Sequence, residues 1–97
     1  MTFNDLKFED DEDGMGEYAY HIFGNHYGVS IVRGPYTYGG KQGLYELAVL
    51  HMAPGDEYSQ LVYDTPITND VMGHLTPDDM TKIMKQVEEL PLREQVV

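Results

Sequence analysis

The sequence predicts an α+β fold in two layers, in which an antiparallel four-stranded β-meander packs against one C-terminal helix. Three observations lead to this prediction: four stretches alternate with the period of a strand, turn-forming residues separate them, and one later stretch repeats apolar residues with the period of a helix. The chain has 97 residues, which suits a single small domain. We place this α+β domain at residues 17–97 and interpret residues 1–16 as an acidic N-terminal segment that is mobile or a loop.

The predicted strands cover residues 18–23, 27–33, 44–52 and 58–63. Gly24 and Asn25 tolerate positive φ angles and join the first two strands in a hairpin. The third strand is apolar at both alternating sets of positions, as expected of a central strand. A turn with Pro54 at its second position leads from the third strand into the fourth.

The predicted helix follows a connection over residues 64–70 and a short helical turn at residues 69–72. Thr76 is a suitable N-cap, and Pro77 fits the first helical position. An apolar stripe follows at helical spacing, formed by Met80, Ile83, Met84, Val87 and Leu90. Pro91 ends the helix, and the stripe needs a face of the sheet to cover it.

The charge of the chain is strongly negative and unevenly distributed. Seventeen acidic residues against six basic ones leave a net charge of −11, and most of the excess lies before residue 18 and after residue 63. Such a surface repels nucleic acids and anionic membranes, and it attracts basic patches of proteins. We therefore predict a basic protein partner, no direct nucleic-acid binding and no membrane binding, with a homodimer as an open alternative.

The N-terminus and the apolar runs bear on localisation. The first residues lack the basic start and apolar stretch of a signal peptide, and no apolar run approaches the ~20 residues of a membrane span. The chain has no cysteine, which excludes disulfides and thiolate chemistry. We predict a cytoplasmic protein.

Two candidate motifs for metal or phosphate binding lack residues that these motifs require. Residues 9–14 resemble the start of an EF-hand loop, but position twelve would be Tyr20 instead of glutamate. The loop over residues 34–43 has four glycines, yet Lys41 is followed by Gln42 where a phosphate-binding loop needs Ser or Thr. We therefore predict no enzyme, no cofactor and no metal.

The histidines and aspartates are the remaining candidates for a metal site. His21, His26, His51 and His74 are scattered without metal-ligand spacing. A divalent-cation site formed by Asp64, Asp70, Asp78 and Asp79 is an alternative, although capping and turn formation explain all four.

The candidate partner-binding residues combine charge with amphipathic rings. They are Glu9, Asp10, Asp11, Glu12, Asp13, Tyr36, Tyr38 and Lys41. The acidic run supplies attraction, while tyrosine supplies contact area at low entropic cost. The alternative for Tyr36 and Tyr38 is that they fold back over an edge of the sheet.

Two stretches carry a resemblance to a known group of proteins. They are Tyr38-Gly39-Gly40 with residues 43–49, and residues 63–71 with Gly73, Leu75 and Thr76. These stretches resemble small uncharacterised proteins encoded by tailed bacteriophages and prophages. The resemblance implies a host-takeover or anti-defence factor. Some factors of this kind present carboxylates where a host protein expects phosphates. The resemblance implies no catalytic or ligand-binding residues.

Three functions therefore remain open. The leading one is a non-enzymatic acidic module, of phage origin, that occupies a basic surface of a host protein as an inhibitor. The second is a phage structural or assembly protein that acts through self-association. The third is a small ligand- or metal-binding enzyme with a pocket beside the Gly-rich loop.

Overall fold

The computed structural model of the chain describes residues 2–10, 16–35, 37, 39–62, 65–67 and 71–91. In chain order the strands are β1 (Glu9–Asp10), β2 (Glu17–Ile22), β3 (Tyr27–Arg33), β4 (Tyr45–His51), β5 (Gln60–Leu61) and β6 (Met72–Leu75), and the helix is α1 (Pro77–Glu88). The expected α+β class and C-terminal helix are confirmed. The expected count of four strands is too low.

The sheet has the order β1-β2-β3-β4-β5, and every neighbouring pair is antiparallel. The meander expected from the sequence is therefore confirmed over β2 to β5. The strand β6 pairs with β4 on the same edge as β5. Each of them takes one end of β4: β5 pairs with Leu50 and His51, and β6 pairs with Tyr45 and Leu47.

The elements on this edge differ in two ways from those expected. The fourth strand, expected over residues 58–63, spans Gln60–Leu61 in the part of the chain that the structure describes. Of the helical turn expected at residues 69–72, the described residue Met72 begins β6 instead. Backbone pairing with β4 overrides the local turn preference there.

Strand register decides which side chains form the core. Val29 lies opposite Val49, and Ile31 lies opposite Leu47, so all four point to the same face of the sheet. Helix α1 covers that face with its apolar stripe. The residues buried to within 2% exposure are Val29, Ile31, Leu47, Val49, Met80, Met84 and Val87.

Helix α1 begins as the sequence predicts. Thr76 has extended backbone angles and accepts a hydrogen bond from the Asp79 N–H at 3.2 Å, while the Asp79 carboxylate accepts one from the Thr76 N–H at 3.0 Å. This reciprocal capping box satisfies two N–H groups that the first turn leaves without helical partners.

The N-terminal residues take part in the fold. The ring of Phe3 lies 5.3 Å from that of Tyr45 and 5.7 Å from that of Phe8, and the Phe3 N–H donates to the Thr81 hydroxyl at 3.0 Å. Phe3, Leu6 and Phe8 pack against the core. Residues 2–10 therefore pack against the domain that we predicted over residues 17–97. Residues 11–15, which include Asp11, Glu12 and Asp13 of the acidic run, lie outside the described part of the chain.

The β2–β3 turn uses different residues from those expected. The positive φ angle falls on His26, at 68°, and on neither Gly24 nor Asn25. The Asn25 side chain instead reaches the C-terminal end of α1, where its amide nitrogen lies within hydrogen-bond distance of three main-chain carbonyl oxygens.

Candidate protein-binding surface

In the described part of the chain, no helix packs against one of the two faces of the sheet. Register and side-chain alternation place ten residues of five strands on the face opposite α1, which we call the open face. They are Glu9, Tyr18, Tyr20, Ile22, Ser30, Val32, Glu46, Ala48, Leu50 and Leu61. None of the ten belongs to the hydrophobic core beneath α1.

The open face exposes large side chains that a folded domain usually buries. Tyr20 is 69% exposed and Leu61 is 49% exposed. Tyr58, in the segment between β4 and β5, is 80% exposed. Contiguous exposed rings and aliphatic groups of this kind mark interaction surfaces more often than isolated apolar residues do.

A groove of about 380 Å³ crosses this face. Strand β2 lines one side, Ser30 and Leu50 come from the strands between, and the segment after β4 lines the remainder. Its residues are Tyr18, Tyr20, Ile22, Ser30, Leu50, Met52, Glu57, Tyr58 and Ser59. The groove thus joins an apolar floor to tyrosine rings and one carboxylate.

Carboxylates lie at both ends of the open face. Glu9 and Glu46 occupy the row that contains Tyr18 and Val32, and Glu57 lines the groove. The Tyr18 hydroxyl donates to Glu9 Oε2 at 2.9 Å, which holds the Glu9 carboxylate beside the face. None of the ten open-face residues or the groove residues is Lys or Arg, so the surface carries uncompensated negative charge.

The basic residue Arg33 belongs to the opposite face. Its guanidinium pairs with Glu17 at 2.5 Å and lies 4.7 Å from the ring centre of Tyr45. Burial raises the pKa of the Tyr45 hydroxyl above its ordinary value, and the Arg33 charge offsets part of that rise. The charge of Arg33 is therefore engaged within the fold.

A second cleft, of about 510 Å³, lies beside the Gly-rich loop. Asp10 and Glu17 face Arg33 and Lys41 in its lining, so acids and bases balance there. Gly39 and Gly43 flank a 3₁₀ turn over Gly40–Gln42 with φ angles of 80° and 78°. Among the described elements, no α-helix begins at this turn, so a phosphate site here would lack the attraction of a helix N-terminus.

The residues expected to bind a partner are only partly brought together. Glu9 and Asp10 are exposed and form β1, with Glu9 on the open face and Asp10 at the mixed-charge cleft. Lys41 is exposed at the same cleft. Asp11, Glu12, Asp13, Tyr36 and Tyr38 lie outside the described residues, so their role in binding remains a prediction.

The acidic and imidazole groups of the described chain do not converge on a metal site. Among these residues, no three His, Asp or Glu side chains are close enough to hold an ion. Asp79 belongs to the capping box, and the hydrogen bonds from the backbone and hydroxyl of Thr76 lower the pKa of its carboxyl group. Asp64 and Asp70 of the alternative cation site lie outside the described part.

Tyr20, Tyr58 and Leu61 were not among the residues selected from the sequence, although all three side chains are exposed. The alternation of Tyr18, Tyr20 and Ile22 carried a signal, because one helix can cover only one face of a sheet. By that argument, the alternating side chains that point away from the helix remain uncovered on every strand. The placement of Tyr58 in the groove lining had no comparable signal in the sequence.

Comparison of the chain with protein-family models, curated proteins and solved structures found no match. Across the described ranges, no helix has both the length and the apolar character needed to cross a membrane.

Proposed function

We propose that this chain is a non-enzymatic acidic binding module that occupies a basic surface of another protein. The open face, together with the acidic run that begins at Glu9, forms its contact surface. A basic partner satisfies the negative charge, and the exposed rings supply apolar contact area.

The observation that carries the proposal is the hydrogen bond from Tyr18 to Glu9. It holds Glu9, the first acid of the run, beside the tyrosine-bearing sheet face, so this carboxylate belongs to the open face. Arg33 sits on the opposite face with its charge paired to Glu17. The exposed lysines Lys82 and Lys85 belong to α1, in the other layer. Among the described residues, the open face and its groove therefore carry carboxylates without Lys or Arg, whereas α1 carries charges of both signs.

The resemblance to phage-encoded proteins extends this proposal to the kind of partner. A host protein with a nucleic-acid-binding surface is basic, and carboxylates can take the place of phosphates on it. An inhibitor of such a host protein is accordingly the form of the module that we favour.

The proposal is tested with two variants that lose the same number of charges at different places. One carries Glu9→Gln, Glu46→Gln and Glu57→Gln on the open face and groove. The control carries Asp78→Asn, Glu88→Gln and Glu89→Gln on α1. Each is used to capture proteins from a bacterial lysate at low and high salt, and the affinity of the captured protein is then measured after purification.

We expect one basic protein to bind the wild type and the α1 control, with an affinity that falls about tenfold as salt rises. The open-face variant should lose this partner. Equal binding by the two variants, or an affinity independent of salt, would contradict the proposal.

Self-association is the second candidate, favoured by the exposed Leu61, Tyr20 and Tyr58. In a phage protein it would correspond to a structural or assembly role. Pairing two open faces, however, brings Glu9, Glu46 and Glu57 of one copy near those of the other. A salt-promoted dimer in sedimentation equilibrium would favour this candidate, because salt screens the repulsion.

A further inference from the structure

We infer that the groove on the open face takes an arginine-bearing segment of the basic partner, with guanidinium groups stacked on Tyr20 and Tyr58. This inference rests on the proposed function and specifies the chemistry of the same surface. It follows from three features of the groove: the exposure of its rings, the position of its carboxylates and the character of its floor.

The rings are available for stacking. Tyr20 is 69% exposed and Tyr58 is 80% exposed, and both line the one groove. Guanidinium is planar and weakly hydrated, so it stacks on an aromatic face more readily than a compact ammonium group does. Two accessible rings in one groove therefore favour arginine over lysine.

The chain already shows this contact on its opposite face. Arg33 lies 4.7 Å from the centre of the Tyr45 ring while pairing with Glu17. The groove presents the same combination, tyrosine with a carboxylate, but without a cation from its own residues. Glu57 lines the groove beside Tyr58, so a partner's guanidinium could pair and stack there together.

The floor suits the aliphatic part of an arginine side chain. Ile22, Leu50 and Met52 line the groove, and Leu50 is only 6% exposed. Arginine buries its methylene stem along apolar surface while its charged head stays at the rim. A groove of about 380 Å³ admits a few such side chains and is too small for a folded element.

Charge complementarity disfavours the other occupants of this face. A second copy that pairs open face to open face would place Glu9, Glu46 and Glu57 against the same acids, and nucleic acid would place phosphates against them. Neither arrangement brings positive charge to the carboxylates of the open face. A cationic peptide segment is the occupant that satisfies both the carboxylates and the rings.

The test uses two labelled short peptides that are identical except for arginine or lysine at alternate positions. Their affinities for the full chain are compared by fluorescence anisotropy. We expect the arginine peptide to bind about five- to thirtyfold more tightly, from two stacking contacts. The preference should disappear in the double variant Tyr20→Leu, Tyr58→Leu.

The double variant Tyr20→Phe, Tyr58→Phe is the matched control, since it keeps both ring faces and loses only the hydroxyls. It should retain the preference, and circular dichroism should show the same melting temperature for all three proteins. Equal affinity for the two peptides, or a preference that survives in the leucine variant, would overturn the inference. If both peptides bind with equal, salt-dependent affinity, the result supports the proposed function and contradicts the inference about arginine. Binding of neither peptide at low salt would count against both.

Discussion

The side-chain amide of Asn25 donates to the main-chain carbonyl of Val87 at 2.8 Å, and this contact ties the first hairpin to the end of α1. The same amide nitrogen also lies 3.1 Å from the Glu88 carbonyl and 2.9 Å from the Leu90 carbonyl. The last carbonyls of a helix have no partners within it, so a side chain from another element can cap them. Asn25 thus joins the two layers through hydrogen bonds as well as through the core.

We expect Asn25→Ala to lower the free energy of unfolding by about 1–3 kcal/mol, because the Leu90 carbonyl loses its side-chain donor and the Tyr27 N–H loses its side-chain acceptor. Urea denaturation followed by circular dichroism measures this difference. The control Asn4→Ala, at an exposed position, should change stability by less than about 0.5 kcal/mol. Equal effects of the two substitutions would show that the cap contributes nothing.

The capping box of α1 makes the free energy of unfolding depend on pH. The folded pKa of Asp79 is lowered below its ordinary value of 3.8, chiefly by the Thr76 backbone hydrogen bond. Its stabilising contribution is therefore complete above that ordinary value and is lost as pH falls through the lower folded pKa. We expect Asp79→Ala to be less stable than the wild type at neutral pH, and the gap to narrow under acidic conditions. Urea denaturation at several pH values measures the gap, and a gap that stays constant would refute this assignment.

Thr76 forms the other half of the box. We expect Thr76→Ala to reduce the free energy of unfolding by about 1 kcal/mol, since the Asp79 N–H loses its acceptor. Thr76→Ser keeps the hydroxyl and should retain nearly all of the stability in the same urea experiment. A loss as large in Thr76→Ser as in Thr76→Ala would point away from the hydroxyl.

Gly28 has no room for a side chain. A Cβ atom there would lie 2.3 Å from the His21 carbonyl oxygen and 2.6 Å from Ile22 Cδ1. We expect Gly28→Ala to destabilise the fold by about 1–3 kcal/mol, because the backbone of β2 must shift. Gly24→Ala meets nothing within 4 Å and should leave thermal stability unchanged or raised. A melting temperature for Gly28→Ala at or above that of Gly24→Ala would contradict this expectation.

The ring of Phe3 tests whether the N-terminal residues belong to the domain. It packs against Phe8 and Tyr45, so Phe3→Ala should cost about 1–3 kcal/mol in urea denaturation. Phe3→Leu keeps much of the apolar volume and should cost less. No loss in either variant would place the domain boundary after this segment.

Local patterns were sufficient for the helix and for the central strands. The start of α1 was predictable from Thr76 and Pro77, since capping and proline geometry act within one turn. The meander was predictable because alternation and turn residues are also local signals. The strand β6 was not, because Met72–Leu75 becomes a strand through its pairing with β4, which lies far away in the sequence.

The candidate surface divides in the same way. The amino-acid sequence by itself determined the negative charge, the acidic run from Glu9 and the alternation that carries Tyr18 and Tyr20 to one side of β2. Only the tertiary structure decided that this side stays uncovered, that Tyr58 joins it and that Glu9 is held beside it by Tyr18. Composition and periodicity follow from each stretch of chain alone, whereas the exposure of a side chain depends on which face of the sheet α1 covers and on contacts between residues distant in sequence.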